Sequence, residues 1–306
     1  MRHVWYDVPA GREDVQIEVR PARAEDKAAV LAFTTHTWED EEGDYIHLVW
    51  NRWLRNRHGQ MFVATADGQP VSVARVALQS RTEAWFEGMR VDPHFRRQGI
   101  AVQVQQACLA YARQQGCRVA RLATGAENYT SQHLTEQGGF RRVAAFQHHL
   151  APASAETVAG VRPATAADLP AILNLWRASA ARPAAANLVP HGWSWQEMKE
   201  ARLRRIVARP PKAHRAPSAL VAASAAGEVS GFALYRTRYG QLLEINWLEG
   251  AEEAMRQLAQ ATRALAQERR LNDVACFAAD HPPVRQALLA AGFQPEFEMW
   301  LYACEL

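Results

Sequence analysis

The sequence predicts an α/β protein made of two similar halves, each with a mixed, mostly antiparallel central sheet flanked by helices. With 306 residues, the chain is longer than one hydrophobic core usually organises, so two domains are expected. The segment EVRPARAEDKAAVLAF (18–33) is echoed by GVRPATAADLPAILNL (160–175). The halves also end alike, because TEQGGFRRVAAF (135–146) corresponds to LLAAGFQPEFEM (288–299).

The repeat sets the expected domain limits. The first domain is expected over 1–150, with residues 1–15 as an N-terminal extension, and the second over 161–306, each of ordinary domain size. The small-residue stretch APASAETVAG (151–160) is typical of a linker.

The elements of the first half begin with a strand that ends in Val-Arg-Pro and a helix opened by an acidic residue. Helical spacing of Ile46, Val49, Trp50 and Trp53 predicts the second helix, and the Asp67-Gly68 turn predicts a hairpin. A long helix then stops at Gly116, and the apolar stretch VARLAT (119–124) is expected to form a buried strand. The predicted elements are strand 16–20, helices 24–36 and 44–57, hairpin 61–78, strand 85–91, helix 99–115, strand 119–124, helix 129–137 and strand 140–149. Hairpin strands pair antiparallel and strand–helix–strand crossovers join parallel neighbours, so the sheet is expected to be mixed.

Composition excludes several classes of protein. The formal charge is only +3 and the basic residues are not clustered, so no nucleic-acid partner is expected. No apolar stretch approaches the roughly 18 residues that span a bilayer, and the N-terminus lacks an apolar h-region, so no signal peptide is expected. The four cysteines form no C-x-x-C pair, so no metal site is expected. We expect a cytoplasmic monomer or homodimer without a membrane partner.

HFRRQGIA (94–101) stands at the start of the long helix. The first N–H groups of a helix have no partner within it, and with the helix dipole they form an anion site. Gly99 would let a phosphate approach this backbone, and Arg96 and Arg97 could add charged contacts. A polar turn whose glycine merely starts a helix remains the alternative.

Two spaced motifs carry a family resemblance. Arg96, Gly99 and Ala101, preceded by GMRVDP, resemble the coenzyme A signature of the GNAT acetyltransferase superfamily. Asn128, twelve residues before the Phe140 of a Gly-Phe pair, is also similar to the family. The resemblance covers about 16–148 and implies a GNAT fold with acetyl-CoA as co-substrate.

The resemblance also implies residue roles. The backbone around Arg90, namely that of Met89 and Val91, would bind the pantetheine arm. Asn128 and Ser131 would contact coenzyme A further along. The pyrophosphate would be held by the Arg96 side chain and by backbone N–H groups of Arg97, Gln98, Gly99, Ile100 and Ala101.

Catalysis in this family is direct attack of an amine on the thioester. A tyrosine that often protonates the leaving thiolate is replaced here by Thr135, a far poorer acid. Glu87 lies where several members keep a base, and strand alternation would place it on one face with Trp85, Met89 and Val91. An ordinary salt-bridged strand glutamate is the alternative for Glu87.

The acceptor site is expected near WEDEEGDY (38–45). Its carboxylates, including Glu39, would attract a cationic amine, or would only cap helices in a solvated loop. Trp38, Tyr45 and Trp85 could form an aromatic wall for that amine.

The second half repeats the fold without the anion site. Its strand QLLEINWLEG (241–250) runs almost directly into the helix AEEAMRQLAQATRAL (251–265), with two glutamates in the first turn that would repel a diphosphate. We therefore expect a tandem GNAT protein with a degenerate C-terminal half. The predicted function is acetyl-CoA-dependent N-acetylation of a small-molecule primary amine. The alternatives are an acetyltransferase acting on a peptide or protein amine and a non-catalytic acyl-CoA sensor.

Overall fold

The computed structural model describes residues 15–35, 44–208, 218–238 and 241–306. The chain forms two compact units, Met1–Ala120 with Leu306 (unit 1) and Arg121–Glu305 (unit 2). Strands and flanking helices in both units confirm the predicted mixed α/β class. The limits of the compact units differ from the domain limits read from the repeat, which stay a prediction about the sequence.

Unit 1 is an antiparallel sheet in the order β1-β2-β3-β4 with helices on both faces. Its elements are β1 (Ile17–Pro21), α1 (Lys27–Thr34), α2 (Ile46–Arg55), β2 (Gly59–Ala66), β3 (Gln69–Leu78), β4 (Glu83–Val91) and α3 (Ile100–Gln114). The first predicted helix begins as a 3₁₀ turn, Ala24–Asp26, before α1. The hairpin turns where predicted, and Asp67 and Gly68 have φ values of 48° and 84°, as a two-residue turn of this kind requires.

Different helices cover the two faces of this sheet. On one face, residues of α1 and α2 pack with Met61, Val63 and Val73 in a single core. On the other, Tyr111 of α3 meets the ring of Phe62 edge to face. The alternation of neighbouring strand residues between these two cores follows from the pleat.

The arginine of the repeated Val-Arg-Pro segment has the same structural role in both units. In unit 1, Arg20 donates two hydrogen bonds to Asp26, at 2.8 and 2.7 Å. In unit 2, Arg162 donates to Asp168 at the same two distances. Each aspartate also accepts a backbone N–H at 2.7 Å, from Arg23 or from Thr165. Bidentate pairs are directional and strong, so each one fixes the end of a strand to the start of the next helix.

Unit 2 contains the remaining elements and one long sheet. Its elements are α4 (Tyr129–Gln137), β6 (Arg141–Pro152), β7 (Val161–Pro163), α5 (Leu169–Ala178), α6 (Ala181–Ala184), β8 (Leu188–Pro190), β9 (Trp195–Glu197), α7 (Glu200–Val207), β10 (Ser218–Ala223), β11 (Val229–Arg238), β12 (Leu242–Gly250), α8 (Glu252–Glu268), β13 (Asp273–Ala279), α9 (Pro282–Ala290) and β14 (Gln294–Glu305). Strand β5 (Val119–Gly125), predicted to be buried, is mostly half-buried. The sheet order is β5-β14-β6-β13-β12-β11-β10-β7, and β12 and β13 are parallel.

The two halves of the sequence exchange their last strands. β6, from the first half, lies between β14 and β13, which both come from the second half. β14, the last strand of the second half, lies between β5 and β6. Neither half of the sequence therefore completes its sheet with its own strands alone.

Within the described part of the chain, no helix has the length and apolarity to cross a membrane. Cys108 is buried, as a small core residue would be, and burial raises the pKa of its thiol to about 12.

Candidate functional site

A β-bulge at Gly88 shapes the centre of unit 1. Arg75 of β3 pairs with Glu87 of β4, but Val73 pairs with Arg90, so β4 has one extra residue between these pairs. Gly88 has a φ of 69°, in the left-handed region that suits glycine. The expected alternation of Trp85, Glu87, Met89 and Val91 on one face is therefore wrong beyond Gly88, because a bulge resets the alternation. A lone glycine inside a strand pattern was the available signal.

The glycine at the bulge also allows a helix to pack closely. A Cβ at position 88 would lie 2.7 Å from Cζ3 and 2.9 Å from Cη2 of Trp53. Trp53, on α2, is 5% exposed, so its ring has little room to move. Glycine at this position sets the approach of α2 to β4.

Glu87 is held by an ion pair. Nη1 of Arg75 donates to its Oε1 directly across the two strands, and Arg75 also lies 5.2 Å from the centre of the Trp53 ring. The Glu87 side chain is 23% exposed. Burial raises the pKa of Glu87 above its usual value, although the positive charges of Arg75 and Arg52 oppose the rise. A carboxylate with a raised pKa is suited to accept a proton near neutral pH.

A second ion pair lies beside the first. Nε of Arg90 donates to Oδ2 of Asp44 at 2.5 Å, and the other Asp44 oxygen accepts the Ile46 N–H at 3.0 Å. Asp44 is 4% exposed. Asp44 therefore accepts the N–H at the start of α2 from just before the helix, as a helix-capping acid would, but it is buried rather than solvated. Trp38, Glu39 and the other carboxylates at 40–42 lie outside the described residues.

Tyr45 is the predicted acceptor residue that faces solvent. It is 40% exposed, and its ring meets Trp53 edge to face, with centroids 5.9 Å apart. Burial of the hydroxyl raises the pKa of Tyr45 to about 12, so the phenol is neutral over the physiological range. Trp85 is 2% exposed and lies in the core, where it offers almost no surface.

The segment before α3 has the backbone geometry of an anion site. Arg97 and Gly99 both have left-handed φ values, 62° and 74°, and Gly99 is the N-cap of α3 with no side chain capping the helix. A Cβ at Gly99 would meet nothing within 4 Å, so the space in front of the helix is open. Backbone N–H groups around left-handed residues form concave anion sites, and a helix N-terminus adds a favourable dipole. The left-handed Arg97 was not foreseen from the sequence.

The end of β4 leads into this segment. Asp92 accepts the His94 N–H at 2.9 Å and begins a 3₁₀ turn over Pro93–Phe95. Arg96 is exposed, and its Nε lies 3.4 Å from the carbonyl oxygen of Val91. The Met89 carbonyl accepts from Nη1 of Arg90 at 2.9 Å. Gln98, Ile100 and Ala101 complete the segment at the start of α3.

The other predicted site residues lie in unit 2. Oδ1 of Asn128 accepts the Ser131 N–H at 3.0 Å and caps α4. Thr135 is 2% exposed. Its neighbour Glu136 accepts a hydrogen bond from the hydroxyl of Tyr302 at 3.2 Å. The helix cap is a structural role for Asn128, and its contact with coenzyme A stays a prediction.

The second half has a closed counterpart of the Arg75–Glu87 pair. Arg236 of β11 and Glu244 of β12 are direct cross-strand partners, joined at 2.7 Å. Glu244 is fully buried, and its oxygen Oε2 also accepts from Gly192 N at 3.2 Å and Asn246 Nδ2 at 3.1 Å. The segment after this strand is short, because β12 ends at Gly250 and α8 begins at Glu252. This agrees with the short connection read from the sequence.

Comparison with known proteins gives a family match within the first half of the chain. Residues 27–140 match the acetyltransferase (GNAT) family. An aminoglycoside N(6')-acetyltransferase type 1 of Salmonella typhimurium is 30% identical over 95 residues, which are 28% of this chain and 66% of that enzyme. The match therefore spans slightly less than two thirds of that relative.

Two solved structures resemble the whole chain. A GCN5-related N-acetyltransferase from Sphaerobacter thermophilus matches with a TM-score of 0.63 and 16% identity, over 94% of this chain and 95% of that one. A tandem GNAT protein from the clavulanic acid biosynthesis pathway matches with a TM-score of 0.57 and 17% identity, over 95% and 98%. At these identities the likeness shows the fold.

Proposed function

We propose that this chain is a tandem protein of the GNAT superfamily and an acetyl-CoA-dependent N-acetyltransferase acting on a primary amine of a small molecule. The observation that carries the proposal is the pair of left-handed residues, Arg97 and Gly99, at the uncapped start of α3. This backbone suits a diphosphate, and it follows directly on the bulged strand that carries a half-buried carboxylate.

Different residues of unit 1 would bind different parts of acetyl-CoA. The N–H groups from Arg97 to Ala101 would hold the pyrophosphate, and Arg96, which is exposed, can turn its guanidinium toward it. Backbone groups of Met89 and Val91 would align the pantetheine arm. Bound acetyl-CoA would supply an activated acetyl group to an attacking amine. Asn128 and Ser131 keep their proposed coenzyme A contacts from the family resemblance.

Glu87 is the proposed base. It would take the proton that the acceptor nitrogen loses as the new C–N bond forms and the C–S bond breaks. Tyr45, which is 40% exposed, would line the acceptor side with aromatic surface, which suits an amine through cation–π contact. The name of the aminoglycoside-acetylating relative supports a small polar amine as acceptor.

A second candidate function is acyl-CoA sensing without turnover. Thr135 takes the place of the tyrosine acid and is buried, so the described residues offer no evident proton donor to the leaving thiolate at that position. A coenzyme A thiolate leaves readily, and we therefore expect slow turnover rather than none.

Thiol release from acetyl-CoA distinguishes the two functions. The panel contains an aminoglycoside, a polyamine, a free amino acid and a short peptide with a free N-terminus. We expect amine-dependent release with a small amine, reduced at least tenfold in Glu87→Gln and unchanged in Glu25→Gln, an exposed control. Binding of acetyl-CoA without amine-dependent release would favour the sensor, and preference for the peptide would favour a protein acceptor.

The second half is proposed not to bind acetyl-CoA. Glu252 and Glu253 occupy the first turn of α8, where they already satisfy the helix dipole and would repel a diphosphate. Calorimetric titration should give one acetyl-CoA per chain. A stoichiometry of two would contradict a single active half.

A further inference from the structure

The pairing between Arg75 and Glu87 leaves one carboxylate oxygen available. Arg75 donates from Nη1 to Oε1 alone, and its Nε is buried without a hydrogen-bond partner among the described residues. The contact is therefore single rather than the bidentate fork that arginine can form. Within the described structure, Oε2 of Glu87 has no hydrogen-bond donor.

Arg75 itself is held in place by its surroundings. It is 5% exposed, its guanidinium lies 5.2 Å from the centre of the Trp53 ring, and that ring packs against Gly88. A side chain fixed this way loses little further freedom when it holds a partner, which is the condition for a preorganised site.

We propose that Arg75 is a positioning residue, which holds Oε1 of Glu87 so that Oε2 faces the acceptor amine as the proton-accepting oxygen. This inference rests on the proposed function, since it assigns Arg75 a role through the base of that reaction. It also predicts that Arg75 sets the pH at which Glu87 becomes able to accept a proton.

The charged groups around Glu87 make Arg75 the dominant partner. Arg52, on α2, also acts on Glu87, but it is exposed and water screens it. Tyr45 is a neutral phenol. The remaining pair, Arg90 and Asp44, is internally neutralised by its 2.5 Å hydrogen bond. Loss of Arg75 should therefore raise the pKa of Glu87 further, because burial would then be opposed only by a screened charge.

The second half provides an internal comparison. There Glu244 of the cross-strand pair Arg236–Glu244 is fully buried, and both of its carboxylate oxygens have partners: Oε2 has three, and Oε1 is 3.5 Å from Nη1 of Arg238. The buried carboxylate of the second half leaves neither oxygen open, whereas Glu87, which is 23% exposed, does. The open oxygen of Glu87 occurs in the half that has the anion site.

Titration of Glu87 without any substrate tests this role directly. Infrared difference spectra of the carboxylate, assigned by subtracting Glu87→Gln, would be recorded from pH 4 to 9 for the unmodified protein, Arg75→Met and Arg52→Met. We expect the Glu87 midpoint to rise by about one unit or more in Arg75→Met and by clearly less in Arg52→Met. Arg75→Gln, which keeps a hydrogen-bond donor, provides the same test if Arg75→Met does not fold. An unmoved midpoint in a folded variant would overturn the role of Arg75.

The pH dependence of turnover separates this inference from the proposed function. With the amine that gives the fastest thiol release, the acid limb of kcat/KM should move upward by the same amount in Arg75→Met. Arg75→Lys should return the acid limb of kcat/KM to its position in the unmodified protein but should not restore the full kcat, because lysine supplies the positive charge without the fixed geometry of the guanidinium. Full activity of Glu87→Gln would overturn the proposal. If the midpoint moves but the unmodified protein shows no amine-dependent release, the proposed function fails instead.

Discussion

Gly88 and Trp53 are packed so closely that no side chain fits between them. A Cβ on Gly88 would lie 2.7 Å from Cζ3 of the Trp53 ring, and the glycine has a φ of 69°. This contact joins the bulge of β4 to α2, and the same ring supports Arg75.

Replacing Gly88 with alanine should therefore cost more than backbone strain alone. We expect Gly88→Ala to lower the free energy of unfolding by about 2–4 kcal/mol, from left-handed strain plus overpacking against the ring. Gly68→Ala is the matched control, since Gly68 has a φ of 84° and nothing within 4 Å; it should lose about 1 kcal/mol. Urea denaturation measures both, and equal losses would contradict the close contact.

Replacing Gly99 with aspartate should leave the protein folded but abolish its binding of coenzyme A. Because its surroundings are open and aspartate tolerates a left-handed backbone, Gly99→Asp should remain folded. Its carboxylate would repel the pyrophosphate, so we expect the rise in Tm caused by coenzyme A to disappear. Gly116→Asp, near the other end of α3 with a φ of 79° and nothing within 4 Å, is the control. A normal rise in Gly99→Asp would refute the anion site.

Asp168 should stabilise the protein at neutral pH and less in acid. Hydrogen bonds from Arg162 hold the pKa of Asp168 far below its usual value. A lowered folded-state pKa contributes stability above the unfolded pKa of about 3.9, and that stability is lost as pH falls toward the folded value. We expect Asp168→Asn to cost about 1–2 kcal/mol at pH 7, a modest figure because Arg162 is 42% exposed.

The difference between Asp168→Asn and the unmodified protein should shrink below about pH 4. Denaturation at several pH values measures it. Glu200→Gln removes an exposed ion pair with Arg177 and should show much less change. A constant difference for Asp168→Asn down to pH 2 would contradict the assigned pKa direction.

The exchange of β6 and β14 should prevent the first half from folding alone. A fragment of residues 1–156 lacks both neighbours of β6 and exposes an unpaired strand, which favours aggregation. We expect no cooperative unfolding of this fragment by circular dichroism. Coexpression with residues 157–306 should restore a soluble complex, and a cooperatively folded 1–156 fragment would show that the exchange is dispensable.

Where a signal is local, the sequence predicted the structure well. The Asp67-Gly68 turn, the ends of α3 at Gly99 and Gly116 and the short connection after β12 all occur where expected. Each depends on residues a few positions apart, whose backbone preferences act before any tertiary contact forms. The resemblance of the first half to the GNAT family, which residues 27–140 match, was also predicted, because its motif combines a strand end, a glycine and a helix start in one short segment.

The surroundings of the candidate site depended on distant residues. Arg90 and Asp44 are separated by 46 positions, and Oε2 of Glu296 is 2.7 Å from Nδ1 of His148, which is 148 positions away. This second pair lies outside the candidate site, in unit 2, where β14 brings Glu296 next to β6.

Thus the sequence by itself predicted the family match of the first half, the order of the elements and the uncapped, glycine-led start of α3. Only the tertiary structure decided the bulge at Gly88, the partner of Glu87 and the exchange of β6 and β14. Register and strand order decide these features, and both are set by side-chain packing across the whole sheet rather than by neighbours along the chain.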